Sequence, residues 1–207
     1  IEVAGQFLNQ LDTVQLHMTS SSDAVHGYVR HWFKIDQLYR KFIYALKKSG
    51  QMTLLNSLVD TIESLYTNRF LGPLATQWQG QVDIMNNWSV PDVTQQRQFY
   101  DRWVKPYTNQ GKKICVIISD AFRYEAGVEM TSRINSENKY QASLDHLLSA
   151  LPSYTQLGMA SLLPSDGSDF AISEKDATVS IGGISTQGTA NRDKLLKAFS
   201  TGNITPF

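Results

Sequence analysis

Apolar positions in the first half of the chain recur every three or four residues. Tyr28, Trp32, Ile35, Tyr39, Phe42 and Leu46 fall on one stripe of a helix. The polar stretch Ser20-Ser-Ser-Asp23 supplies a helix start, and Ser49-Gly50 supplies a stop. The pattern repeats from Leu54 to Phe70, with Leu54/Leu55, Leu58, Ile62, Leu65 and Phe70 on one face, until Gly72-Pro73 breaks it. Leu74 to Trp88 predicts a third helix, and Asp12 to Leu16 closes a short one near the start. Gln95 to Tyr107 turns Phe99, Trp103 and Val104 inward, with Pro106 and Gly111 marking a junction. Residues 1–108 are therefore expected to form a helical region.

After Gly111 the period changes. Ile114 to Ile118 is an unbroken apolar run, which predicts a strand over 113–119 buried on both faces, as in a parallel sheet. A helix is expected over about 121–135, where Tyr124, Val128, Thr131 and Ile134 recur at helical spacing. Tyr140-Gln-Ala-Ser-Leu144 alternates and predicts a second strand. Leu147 to Leu151 is a short apolar piece, Thr155 to Leu163 a helix ended by Pro164, and 165–177 a polar loop. Thr178-Val-Ser-Ile-Gly-Gly-Ile184 predicts a weaker third strand, and Asn191 to Phe199 a last helix. The alternation argues an α/β fold for 109–207 with a mostly parallel sheet flanked by helices. No internal repeat or low-complexity tract is present.

The 207 residues suffice for one full domain or two small ones. Nineteen basic residues balance nineteen acidic ones, so charge gives no support for nucleic-acid or membrane binding. The single cysteine, Cys115, lies inside the expected strand and reads as a small core residue. One thiol forms no internal disulfide, which fits a reducing, cytoplasmic setting. No run is long and apolar enough to span a bilayer, and no signal peptide is seen. The chain begins at Ile1 and stops just after a helix-like segment, so it is expected to be a piece of something longer.

Two segments carry candidate chemistry. Asp120 ends the expected strand, and ligands of open α/β sheets sit outside the carboxyl ends of strands. It suits either a metal ligand or phosphoryl acceptor, or the N-cap of the next helix. In Leu151-Pro-Ser-Tyr-Thr-Gln-Leu-Gly-Met-Ala-Ser-Leu-Leu-Pro164, Ser153 and Thr155 place hydroxyls at a helix start. Such a hydroxyl attacks phosphorus once a metal lowers its pKa, or merely caps the helix. A carboxylate at a strand end and a hydroxyl at a helix start, with one strand between, together form the layout of a metal-assisted phosphoryl transferase. His26 and His31 lack the i,i+4 spacing of helical metal ligands, His17 is isolated, and His146 beside Asp145 reads as a surface or packing residue. Lys34, Arg40, Lys41, Lys47 and Lys48 give one helix a basic side that reads as a solvated face.

Ile117-Ile-Ser-Asp-Ala-Phe-Arg-Tyr-Glu125, followed by the 151–164 segment and by Gly188-Thr-Ala-Asn-Arg-Asp-Lys-Leu-Leu-Lys197, resembles the PglZ domain of bacterial BREX phage-defence systems, within the alkaline phosphatase superfamily. The resemblance is good over roughly 112–199, and the helix over 28–42 looks like the region that precedes this domain in longer members. It implies that Asp120 is the first metal-binding aspartate and that Thr155 is the nucleophile and also touches metal. The superfamily pattern Pro-Thr-x-Thr stands here as Pro152-Ser-Tyr-Thr155, which favours Thr155 over Ser153. It further implies hydrolysis of a phosphate mono- or diester through a phosphothreonine, two divalent ions (zinc), and other BREX proteins as partners. On this reading, 109–207 is the incomplete N-terminal part of the domain.

The chain departs from that pattern in one respect. The superfamily's remaining ligands are later aspartates and histidines, including an Asp-His-Gly motif. No histidine follows Thr155, and the later acids Asp166, Asp169, Glu174, Asp176 and Asp193 stand in no matching context. By itself the chain is thus expected to bind catalytic metal poorly and to be inactive. The alternative is a non-catalytic scaffold or interaction module of the defence complex. A receiver-like phosphoacceptor role for Asp120 lacks the further acids and the distal lysine that it needs.

Overall fold

The computed structural model describes residues 1–165, 170–199 and 202, which fall into two compact units. One contains Ile1–Asp92 with Ala121–His146, and the other Val93–Asp120 with Leu147–Phe207.

The first unit is helical. Helix α1 (Glu2–Thr13) buries Ala4, Phe7 and Leu11 at i, i+3 and i+7. Helix α2 (Ser21–Gly27) is capped by Ser20, whose side chain accepts from the Asp23 N–H. It passes through a wide π-turn, Tyr28–Trp32, into α3 (Phe33–Ser49). A Cβ on Gly27 would lie 2.5 Å from the Trp32 ring, so only glycine lets that indole lie against the backbone. The stripe read from the sequence is the buried one: Trp32, Ile35, Phe42 and Leu46 are core residues, and Tyr28 and Tyr39 pack at its margin.

Helix α4 (Asn56–Leu65) runs through a second π-turn, Tyr66–Leu71, into α5 (Gly72–Asp83). The expected break at Gly72-Pro73 is absent. Pro73 falls at the start of a new regular segment, where a missing N–H is tolerated, and the wide turn before it absorbs the irregularity. Ile62, Tyr66 and Phe70 from this rod complete the core with Phe7 and Ile35.

Helix α7 (Tyr124–Ser136; α6, Lys105–Thr108, belongs to the second unit) packs on α3 through buried charge. Asp36 is buried and accepts from the hydroxyls of Tyr28 (2.5 Å) and Tyr66 (2.7 Å), with Arg123 Nη2 at 3.7 Å. Glu125 is fully buried, meets Arg40 Nε at 3.2 Å and Arg123 Nε at 3.5 Å, and accepts from the Ala126 N–H. Arg40 also reaches Glu129 at 2.7 Å, and Gln37 donates to the Glu125 carbonyl.

Burial, and then donation to Asp36, pushes the Tyr28 and Tyr66 phenols well above their ordinary range. In the unfolded chain they ionise near pH ~10. Their contribution to stability is thus intact below that value and is lost as pH climbs towards the folded values. Thermal unfolding followed from neutral to strongly alkaline pH should show stability falling above pH ~10, and the fall should be shallower in Tyr66→Phe.

The second unit begins with a helical stretch: a 3₁₀ turn (Gln96–Gln98), a π-turn (Tyr100–Val104) and α6 (Lys105–Thr108). Helices α8 (Thr155–Ser161) and α9 (Thr189–Phe199) follow, with three short strands, β1 (Phe170–Ile172), β2 (Val179–Ile181) and β3 (Ile184–Ser185). The strands form one antiparallel sheet in the order β1-β2-β3, with Phe170 opposite Ile181 and Ile181 opposite Ile184.

This corrects the expected mostly parallel sheet, which is absent among the described residues. The third expected strand, 178–184, is a hairpin. Gly182 (φ 56°) and Gly183 (φ 76°) both take left-handed angles, which makes a two-residue turn that reverses the chain. Residues 112–119 and 140–147 adopt no regular structure, and the nearest thing to parallel pairing is an isolated bridge between Gln95 and Leu148. Leu157, Ala160 and Val179 form one small core, and Leu163, Ile181 and Leu195 another.

Candidate active site

The apolar run that leads to Asp120 is exposed. Ile117 is 74% accessible, and Ile114, Val116 and Ile118 are also open. Cys115 is exposed, which corrects its reading as a core residue. A run of five apolar residues becomes a buried strand only if other strands flank it, and no described strand pairs with this one. Asp120 therefore stands in a turn, followed by Ala121 at φ 54°. The next helix, α7, has Arg123 at its N-cap position and no side-chain cap.

Thr155 opens α8. The N-cap position belongs to Tyr154, in extended conformation (φ −127°, ψ 153°), and again no side chain caps the helix. The Thr155 hydroxyl instead donates to Asp120 Oδ2 at 3.1 Å, across 35 residues of sequence, and both side chains are exposed. Ser153 lies two residues earlier and is also exposed. The Tyr154 hydroxyl donates to the Ala177 carbonyl at 2.9 Å, which ties this turn to the one that joins β1 to β2.

One residue that the sequence reading passed over braces the same turn. Gln96 donates its backbone N–H to the Leu148 carbonyl at 2.8 Å. Its side-chain oxygen accepts from the Ala150 N–H at 3.0 Å, and its side-chain nitrogen donates to the Gly158 carbonyl at 3.1 Å. Its neighbours Gln95 and Gln98 are occupied in a reciprocal capping box. The string Gln95-Gln-Arg-Gln98 by itself reads as a solvated helix start, and nothing in it singles out the middle glutamine.

The other polar candidates lie elsewhere. Asp176 is held below the usual carboxylate range by hydrogen bonds from Ser173 and Thr178 within its own turn. Asp193 is paired with Lys197 at 2.6 Å. His146 lies in the first unit, beside Asp145 and edge-on to His26 at 6.0 Å. Asp166 and Asp169 fall outside the described residues.

A catalytic zinc takes three protein ligands and keeps a further position open. Asp120 and Thr155 supply one carboxylate and one hydroxyl, and the described residues hold no group of three or more His, Cys, Asp or Glu able to bind a metal. Among the described residues, the buried side-chain polar atom left without a partner, Gln156 Nε2, is a hydrogen-bond donor and of no use to a cation. The described donor set thus does not by itself fit a catalytic metal. Correspondingly, the 207-residue chain dialysed against zinc is expected to retain less than one equivalent by elemental analysis.

Comparison with known families decides the relationship. Residues 99–207 match the BREX system PglZ alkaline phosphatase-like domain. The chain belongs to the PglZ family. It is 41% identical over 191 residues to the alkaline phosphatase-like protein BrxZ of Escherichia coli O9:H4 (strain HS), which covers 88% of this chain and 22% of that protein. It is 32% identical over 176 residues to the alkaline phosphatase-like protein PglZ of Bacillus cereus (strain H3081.97), which covers 84% of this chain and 20% of that protein. The chain thus spans about a fifth of the length of these relatives. No solved structure matches it. Among the described residues no helix is long and apolar enough to cross a membrane. Asp120 and Thr155 both lie inside the PglZ match, whereas Gln96 lies three residues before its start.

Proposed function

We propose that this PglZ chain carries the nucleophile side of a phosphoester-hydrolysing centre in a BREX defence protein. The observation that supports the reading is the 3.1 Å hydrogen bond from Thr155 to Asp120, which joins a hydroxyl and a carboxylate far apart in sequence. In the proposed reaction Thr155 Oγ1 forms a bond to phosphorus as the ester oxygen leaves. The hydroxyl proton passes towards Asp120, to which it already points, and the departing oxygen takes a proton from water. Water then attacks the phosphothreonine and gives up a proton to the hydroxide left by the first step, while the proton held at Asp120 returns to Thr155 Oγ1, which releases phosphate or a phosphomonoester and restores the hydroxyl. Alkaline-phosphatase-like proteins are generally metal-dependent. In the complete protein we assign Asp120 a share in holding divalent metal, zinc being the family's implied ion, and the remaining ligands to residues outside the described set. Such ions supply charge balance on the transferring group. Membership of a BREX system makes other BREX proteins the proposed partners.

The test uses the full-length protein and a chromogenic nitrophenyl phosphodiester. Hydrolysis should require divalent metal, stop with a chelator and fall at least about a hundredfold in Asp120→Ala. Activity in Asp120→Ala equal to that of an active wild type would remove Asp120 from the centre, and a wild type with no metal-dependent hydrolysis would leave the scaffold role.

A further inference from the structure

We propose that Gln96 is a positioning residue for Thr155. The proposal deepens the phosphoryl-transfer reading and rests on it for its catalytic consequence. Thr155 opens a helix of seven residues, far below the length at which a helix is stable unaided. The turn before it runs through Leu151-Pro-Ser-Tyr154, so its geometry has to be held from outside. Gln96 bridges the two sides. It accepts from Ala150, five residues before Thr155, and donates to Gly158, three residues after it.

The Gly158 carbonyl is one of the last four of the helix, which have no partner within it. Only a group with an acceptor and a donor on one planar fork satisfies both contacts, and the glutamine carboxamide is that group. Its own backbone is fixed as well, by donation to Leu148 and by the isolated bridge at Gln95. A Cβ added at Gly158 would lie 3.6 Å from Gln96 Nε2, so the amide already rests against the helix at ordinary contact distance. The brace originates just before the first residue of the PglZ match, at position 99, and reaches forward into it.

Two variants separate the brace from simple packing. Gln96→Glu keeps the shape and the acceptor but presents an anion to the Gly158 carbonyl. Gln96→Met keeps the length and loses both hydrogen bonds. In the 207-residue chain, amide exchange at Gly158 should quicken by about tenfold in both variants and at Ala150 in Gln96→Met, which alone loses the acceptor of that N–H, while amides of the first unit keep their rates. In the full-length protein, kcat for the phosphodiester should fall about tenfold with KM changed less than about twofold, as expected when an oriented nucleophile is loosened but the substrate still binds. Unchanged exchange at Ala150 and Gly158 in both variants overturns the proposal. So does an unchanged kcat in a protein whose hydrolysis depends on Thr155. Should the wild type show no Thr155-dependent hydrolysis, the phosphoryl-transfer reading falls, and the exchange rates still decide whether Gln96 holds the turn.

Discussion

In the full-length protein, Thr155→Ala is expected to lower the rate of phosphodiester hydrolysis by at least about a thousandfold. Loss of Oγ1 removes the atom that would bond to phosphorus, and what remains is substrate binding with direct attack by water. Because Thr155 is exposed and its hydroxyl caps no helix, the variant should fold normally, with a stability change within about 0.5 kcal/mol. Thr155→Ser keeps the hydroxyl and the reach to Asp120, so it should retain much of the activity. Ser153→Ala probes the second hydroxyl of Pro152-Ser-Tyr-Thr155 and should stay close to wild type. Rapid acid quenching followed by mass spectrometry should find a phosphoryl group on Thr155 in the wild type and none in Thr155→Ala. Full activity in Thr155→Ala, or a phosphoryl group on Ser153, would remove Thr155 from the role.

The helical unit was legible because its signal is local. Trp32, Ile35, Phe42 and Leu46 repeat at the period of the element they form, and they are buried where the period places them. The irregular points were less legible. Gly72-Pro73 reads as a stop, yet a π-turn over Tyr66–Leu71 carries the helix through it. The sheet was misread for a different reason. An apolar run such as Ile114 to Ile118 records what a segment buries when it has neighbours, and neighbours in a sheet come from distant sequence. Gly182-Gly183 did carry a local hairpin signal, which the reading of 178–184 as one strand missed.

The pairing of Asp120 with Thr155 was suggested by motif spacing, and the structure brings the two side chains into contact. Gln96 and Glu125 had no comparable signal. Their partners lie 54 residues away at Ala150 and 85 residues away at Arg40, and polar residues carry no periodicity from which such pairings can be read.

The second large effect concerns that buried charge. Arg40→Met is expected to destabilise the helical unit by about 2–3 kcal/mol, towards the low end for breaking a buried ion pair. Removing Arg40 leaves the fully buried Glu125 carboxylate with the Ala126 N–H and a longer contact to Arg123, and takes one cation from Glu129, which keeps Arg133 and Lys41. The discount reflects the 39% exposure of the Arg40 side chain, through which solvent screens part of the interaction. Glu125→Gln should cost less, about 1–2 kcal/mol, because it removes the buried charge together with its attraction and leaves Arg40 paired with Glu129. In the double variant the carboxylate is no longer stranded. The two losses should therefore fall short of additivity by about 1–2 kcal/mol. Urea unfolding followed by the fluorescence of Trp32, which is buried in the same unit, measures each step. Strict additivity, or a cost below about 0.5 kcal/mol for Arg40→Met, would mean that solvent and Arg123 already balance Glu125. In that case the attachment of α7 to α3 would rest on the packing of Tyr124 against Tyr28 and Phe33.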